Sequence, residues 1–315
     1  MTTDDSAETD PVDTADLRHR IRVRVPAKIN LYLGVGPARP DGYHELVTVF
    51  QAVDLYDEIV VSPADGLQIT IRGEGADELP TGSENIAWRA ACLLADTAQL
   101  SPHALIEITK SIPVGGGMAG GSADAAAVLV GCAALWHTGT SRVALERLAG
   151  ELGSDVAFTL VGGTALGTGR GEILTPVLAT GAFHWVLALA DFGISTAAAY
   201  REYDALAGAA PSAPEVPAGM FDALRAGDPH HLGATLANDL QTAALRLAPT
   251  LRRTLAAGAE LGAIAGIVSG SGPTCAFLCA DAASATALAA ALAGEGVCRT
   301  TRVAVGPVAG ARTMA

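Results

Sequence analysis

The sequence predicts an α+β protein of two domains, and three observations carry that prediction. A glycine-rich run, Pro113-Val114-Gly115-Gly116-Gly117-Met118-Ala119-Gly120-Gly121-Ser122, joins a strand-like segment (Ala104 to Ile108) to an apolar, alanine-rich helical one (Ala123 to Trp136). The chain opens on alternating apolar and polar residues, the pattern of half-buried antiparallel strands. Its last third runs strand, helix, strand, strand, helix, strand, the order of a ferredoxin-like α+β half. With 315 residues, 50% hydrophobic and 17% charged, there is ample material for a core and too much for one pair of layers. The expected division is an acidic tail over 1–19, predicted to be disordered, a first domain over 20–180 and a second over 181–315.

In order, the tail is rich in Thr, Asp and Ser and has almost nothing to bury. Ile21, Val23 and Val25 alternate with Arg22 and Arg24, and Ile29, Leu31, Leu33 and Val35 alternate again with Lys28 and Asn30 near the join. Pro37 to Gly42 reads as a turn, and a second strand pair continues through Val61 and Ile71. Ser83 is placed to cap a helix from Glu84 past Leu94. After the glycine run, Ser141 caps a helix ending near Gly150, and Ser154-Asp155 opens a short apolar segment. Gly162 to Ile173 reads as glycine-punctuated strands carrying Arg170. Past a break at Thr180-Gly181, Trp185 to Ala190 is a continuous apolar strand. Helices are expected over Ala197 to Leu206, Met220 to Ala226, and Asn238 to Leu261 with a break near Pro249. Strands Ile264 to Val268 and Cys275 to Cys279 flank Ser269-Gly270-Ser271-Gly272-Pro273, and helix Ala282 to Leu292 precedes a last strand, Val297 to Val305.

The five glycines of the central run permit positive φ and leave no Cβ in a ligand's way. Ser122 stands where a helix N-cap belongs, and the free N–H groups of that first turn form an anion site suited to a polyphosphate. A plain flexible turn is the bland alternative, but linkers seldom lead straight into an apolar helix. The Walker pattern fails, because Gly121 and Ser122 follow where Lys is required. Gly115, Gly117 and Gly120 fit G-x-G-x-x-G, yet about twenty residues on stands Thr138-Gly139-Thr140-Ser141, a turn into a helix rather than an acidic strand end.

A net charge of -13, from 33 acidic and 20 basic residues, speaks against a general nucleic-acid partner. Cys92, Cys132, Cys275, Cys279 and Cys298 are odd in number, lie in apolar runs or near them, and follow no zinc spacing; they read as reduced thiols of a cytoplasmic protein. No apolar stretch has membrane length, and no metal cluster or obligate protein partner is expected.

Three blocks resemble a known family. The run Pro113 to Ala126 resembles the phosphate loop of the GHMP kinases. Pro26-Ala27-Lys28-Ile29-Asn30-Leu31-Tyr32-Leu33, then Asp41-Gly42-Tyr43-His44-Glu45-Leu46, resemble the start of the 4-diphosphocytidyl-2-C-methyl-D-erythritol kinases. Ser269-Gly270-Ser271-Gly272-Pro273-Thr274 resembles the third family motif, so the likeness runs from about Val23 to the last strand. It implies a first domain like the second domain of ribosomal protein S5 and a ferredoxin-like second domain. It also implies a reaction: ATP, with Mg²⁺, phosphorylates the tertiary hydroxyl on carbon 2 of a CDP-linked methylerythritol, a step of non-mevalonate isoprenoid synthesis.

The same resemblance assigns residues. Lys28 and Asp155 become catalytic, with Asp155 mainly orienting the hydroxyl and accepting its proton late. Read alone, Lys28 is a strand-end lysine and Asp155 a helix N-terminal acid. Pro113, Gly115, Gly116, Gly117, Met118, Ala119, Gly120, Gly121 and Ser122 become the ATP loop. Asn85 and Lys110 fall at adenine-side positions; alone they are a helix-start residue and a surface lysine. Tyr43 and His44 fall where the cytosine is stacked and its edge read, or form an edge-strand packing pair. Asn30 joins the substrate side. Tyr200 is assigned a second stacking face, or the core of a helix. Arg170 is assigned the substrate diphosphate, or a surface hairpin. Gly270, Ser271 and Thr274 close the site from the second domain, or only turn a strand. Asp124, in the first turn of the long helix, suits the dipole but would repel phosphate, so it is expected to point away; Mg²⁺ would then be held mostly by ATP and water.

Overall fold

The structure, a computed structural model, describes residues 20–207 and 213–314. The tail expectation therefore lies outside the described residues. In chain order the elements are β1 (Ile21–Ala38), β2 (His44–Ser62), β3 (Leu67–Gly73), α1 (Ile86–Ala98), β4 (Ala104–Lys110), α2 (Gly120–Leu135), α3 (Arg142–Leu152), α4 (Ser154–Val161), β5 (Thr164–Thr168) and β6 (Ile173–Pro176). There follow β7 (Phe183–Leu189), α5 (Thr196–Ala207), α6 (Met220–Ala226), α7 (Pro229–Gly233), β8 (Ala237–Asn238), α8 (Gln241–Leu247), α9 (Leu251–Glu260), β9 (Ala265–Val268), β10 (Cys275–Cys279), α10 (Ala282–Glu295), β11 (Thr300–Gly306) and β12 (Arg312–Thr313).

Two sheets organise these elements. In the first, the order β12-β1-β2-β4-β3 is extended by β5 on β2, by β6 on β5 and by β8 on β1. The second is antiparallel, β11-β7-β10-β9, which places the four strands of the βαββαβ unit in the order 4-1-3-2 of a ferredoxin-like half. Helix α2 packs on β1 and β2 and against α1 and α4. Its run Ala123 to Leu129 is wholly buried and, Asp124 apart, wholly apolar, as a helix enclosed on all sides must be.

The long β1–β2 hairpin aims the first chemically active side chains. Its register shifts between Pro26 and Ala27 and again between Asn30 and Tyr32. Such irregularities bend a strand and redirect what it carries. Between the two shifts, Ala27 and Ile29 enter the core, while Lys28 and Asn30 turn to the opposite side, into a cleft.

Three local expectations are corrected. Asn85, not Ser83, caps α1, its Oδ1 accepting the Ala87 N–H at 2.8 Å. Helix α2 starts at Gly120 because Ala119 takes φ 62°, so Ser122 is its third residue and not its cap. Asn238 is not helical: it ends β8, which pairs in parallel with Tyr32 and Leu33, and the helices after it are separate. The β8 pairing and that of β12 with β1 carry parts of the C-terminal half back to the first sheet.

Candidate active site

The glycine run crosses the floor of a cleft of about 360 Å³. No side chain caps the N-terminus of α2, so its first-turn amides remain for an anion. The turn between β9 and β10 closes over the run: Ser269 Oγ donates to Gly117 O at 3.1 Å, and Thr274 N donates to Gly116 O at 3.3 Å. Gly117 has φ +74°, and a Cβ there would lie 2.2 Å from Ser269 O, so only glycine fits. Asn238 pins that turn, donating to Val268 O at 2.8 Å and Gly270 O at 2.7 Å.

Above this floor lie the charged groups. Lys28 Nζ donates to Asn30 Oδ1 at 2.8 Å and stands 3.7 Å from Asp155 Oδ2. Asn30 Nδ2 donates to Thr48 Oγ1 at 2.8 Å, and Thr48 donates in turn to Tyr32 O at 2.6 Å, which fixes the orientation of the amide. Lys28 is buried, while the Asp155 side chain is 37% exposed at the first turn of α4, open to an incoming hydroxyl. Ser271 and Thr196 share a hydroxyl contact of 3.1 Å on the far wall.

One end of the cleft is aromatic. His44 stacks on Tyr200 with centroids 5.2 Å apart, and its Nε2 lies 2.9 Å from Asp204 Oδ1. The Arg170 guanidinium sits 5.0 Å over the Tyr43 ring, and Tyr43 is 56% exposed. Burial, with a smaller contribution from Asp155, pushes the Tyr200 hydroxyl up and keeps it neutral.

Family models for the GHMP kinases N terminal domain and the GHMP kinases C terminal match residues 85–163 and 220–298. The chain is 58% identical over 296 residues to the 4-diphosphocytidyl-2-C-methyl-D-erythritol kinase of Mycobacterium tuberculosis (strain ATCC 25618 / H37Rv), covering 93% of each protein. The chain belongs to that kinase family. The Mycolicibacterium gilvum (strain PYR-GCK) enzyme of the same name is 57% identical over 93% of this chain and 92% of that one. A crystal structure of 4-(cytidine 5'-diphospho)-2C-methyl-D-erythritol kinase superposes with TM-score 0.74 at 33% identity, over 90% of this chain and 98% of that one. A homoserine kinase from Cytophaga hutchinsonii, at 20% identity and TM-score 0.69, shares the fold.

Within this kinase, the cleft gathers Lys28, Asn30, Pro113, Gly115, Gly116, Gly117, Ala119, Gly120, Gly121, Ser122, Asp155, Arg170, Tyr200, Gly270 and Ser271. Others stand apart. Tyr43 and His44 form a rim beyond the lining, with one face of Tyr200 already taken by His44. Thr274 lies behind the loop, where Gly116 borders a second cleft. Met118 is fully buried and contributes its carbonyl, which accepts from Lys28 N at 3.3 Å. Asn85 is spent on capping α1 and on Pro80 O, and it is its neighbour Ile86 that reaches the cleft.

Lys110 is not a surface lysine. Its ammonium is buried between Asp57 and Asp124, and Asp124 does point away from the cleft floor, toward it. Burial pushes Asp124 well up and Asp57 adds to this, against the pull of Lys110. For Lys110 burial acts downward, but the two carboxylates outweigh it and hold the ammonium's pKa above its ordinary value.

Residue-by-residue reading missed Asp57, Thr48, Thr196, Asp204 and Asn238. Asp57 had a signal: it shares the inward face of β2 with Ile59 and Val61, an odd place for a carboxylate without a buried cation.

Proposed function

We propose that this protein transfers the γ-phosphoryl group of ATP to the 2-hydroxyl of 4-diphosphocytidyl-2-C-methyl-D-erythritol, a step of non-mevalonate isoprenoid synthesis, and that it works in the cytoplasm. One observation carries the chemistry: an uncapped helix N-terminus in a glycine run faces, across a single cleft, a buried lysine 3.7 Å from a solvent-accessible aspartate. Phosphoryl transfer needs positioned phosphates, neutralised charge and an oriented nucleophile, and these are the groups that supply them.

Gly115 to Ser122 cradle the triphosphate through backbone amides. Asp155 orients the acceptor hydroxyl and takes its proton late. Lys28, held by Asn30, stabilises charge on the transferring oxygens. Mg²⁺ fits as an ion carried by the nucleotide, with Ser122 the hydroxyl this chain adds near the phosphates. When bound it supplies further charge neutralisation.

At the rim, Tyr43 supplies a stacking face and Arg170 a guanidinium for the diphosphate. His44 reads the base edge. With Nε2–H donating to Asp204, its Nδ1 is left as an acceptor, which suits the exocyclic amine of cytosine and not the O4 of uracil. The partners are thus ATP and the CDP-linked acceptor, and among the described residues no helix is long and apolar enough to cross a membrane.

The test is ATP consumption measured with and without the CDP-linked acceptor, beside homoserine and mevalonate. Turnover that requires the CDP-linked compound is expected. Turnover on another acceptor with none on this one would overturn the reading.

A further inference from the structure

Lys110, Asp57 and Asp124 are all buried, and the chemistry assigned to the cleft uses none of them. An ammonium has three N–H donors. Lys110 Nζ directs them to Asp57 Oδ2, to Asp124 Oδ2 at 2.7 Å and to the carbonyl of Gly120 at 3.1 Å. No donor is left for a nucleobase. Asp57 is committed as well: its Oδ1 accepts the N–H groups of Ser111, at 2.6 Å, and Ile112, at 2.9 Å.

The juxtaposition is topological. Ser111 and Ile112 are where the chain leaves β4 for the glycine run. Gly120 and Asp124 are where it enters α2. Asp57 therefore holds the entrance of the run, Lys110 holds its exit, and the two are joined by an ion pair from the middle sheet strand β2. A Cβ on Gly120 would come 3.2 Å from both Lys110 Nζ and Ile112 Cγ2, so the run passes close over the clamp. Asp124 Oδ1 is buried with no hydrogen-bond partner, so this carboxylate meets Lys110 through Oδ2 and accepts nothing from the backbone around it.

We propose that Lys110, with Asp57 and Asp124, is a positioning clamp that fixes both ends of the phosphate loop from beneath, and that its ammonium is not a ligand of the adenine. This rests on the reading that the loop binds the phosphates of ATP. A base ligand and a loop clamp differ in what they do to a ligand without a base. Inorganic tripolyphosphate is such a ligand.

The experiment titrates ATP and tripolyphosphate, by calorimetry at a temperature well below melting, into the full chain and into Lys110→Met and Asp124→Asn. The expected result is that each variant loses affinity for both ligands by the same factor, on the order of tenfold to a hundredfold for Lys110→Met, as loop misplacement would cause. KM for the CDP-linked acceptor should stay near the parent value. A loss for ATP with tripolyphosphate unchanged overturns the clamp and makes Lys110 a base ligand. Unchanged affinity for both, with only a lower melting temperature, reduces the cluster to a structural ion pair and also overturns it. Should Lys110→Met not fold, Lys110→Arg and Asp124→Asn carry the same comparison with the same outcomes. A parent chain that binds neither ligand overturns the nucleotide reading itself, and this inference with it.

Discussion

The two ends of the cleft are built differently. At the end proposed for the phosphates the backbone is what is offered for binding, and the side chains that shape it are buried: Ser269 on Gly117, Thr274 behind Gly116, and Lys110 between two carboxylates. At the end proposed for the base, side chains are what is offered, and they reach into water: Tyr43 is 56% exposed, and Asp204 is 54% exposed beside a His44 side chain that is 9% exposed. Buried pairs in low dielectric cannot be broken cheaply, whereas exposed ion pairs contribute about 0–1 kcal/mol. On the proposed reading, chemistry common to many phosphoryl acceptors sits on the constrained end, and the choice of acceptor on the end whose residues can be exchanged without harm to the core.

The largest expected effects lie between the two ends, at the residues proposed to carry the reaction. Asp155→Asn keeps shape and removes the proton acceptor, so kcat should fall roughly a hundredfold to ten-thousandfold with both ligands still bound. Lys28→Met should act in the same direction. Single-turnover rates equal to the parent would reduce Asp155 to a residue of the α4 first turn.

Gly117→Ala tests how constrained the phosphate end is. The change places a Cβ 2.2 Å from Ser269 O and requires a left-handed alanine at φ +74°, costing about 1–2 kcal/mol before the clash is relieved. The Ser269–Thr274 turn must move, so KM for ATP should rise about tenfold or more while far-ultraviolet circular dichroism is unchanged. An unaltered KM would show that the two glycine turns are not in register during binding.

This asymmetry also explains what could be read in the sequence. Signals that are local in the chain were legible: the alternation of β1, the glycine run before α2, and the βαββαβ order of the second half all appear where expected. The start of α2 was misplaced by three residues because Ala119 takes the left-handed backbone, which residues other than glycine seldom adopt. Lys110 reads as a surface residue because its partners lie 53 and 14 positions away in the chain. Thr48 and Asn238 act through β1 and the β9–β10 turn, contacts that no local pattern announces. Spatial pairing, not residue type, was the missing information.

At the exposed end, Tyr43→Ala removes a stacking face and the partner of Arg170. By analogy with base–aromatic pairs this costs about 1–3 kcal/mol, read as a rise in KM for the CDP-linked acceptor with KM for ATP unchanged. An equal rise in both constants would mean that the rim and the loop are coupled, and the division of labour would fail.

Asp204→Asn should have the smallest effect and is the most pointed test of the base end. The substitution keeps the size of the side chain and its reach to His44 Nε2, 2.9 Å away. What it removes is an acceptor-only partner. An ionised carboxylate compels Nε2 to carry the proton and leaves Nδ1 bare; an amide can turn either face to the ring and compels nothing. The neutral imidazole then divides between two tautomers, and the fraction with an acceptor toward the base falls. Because the Asp204 side chain is 54% exposed, water screens the contact and the change is worth about 1 kcal/mol, a few-fold in the preference for cytidine-linked over uridine-linked acceptors. The ratio of kcat/KM on the two analogues measures it directly, with stacking and phosphate binding cancelling between them. A ratio that stays at the parent value would show that the cytosine edge is read by groups other than the His44 imidazole, with the stacking role of Tyr43 left intact.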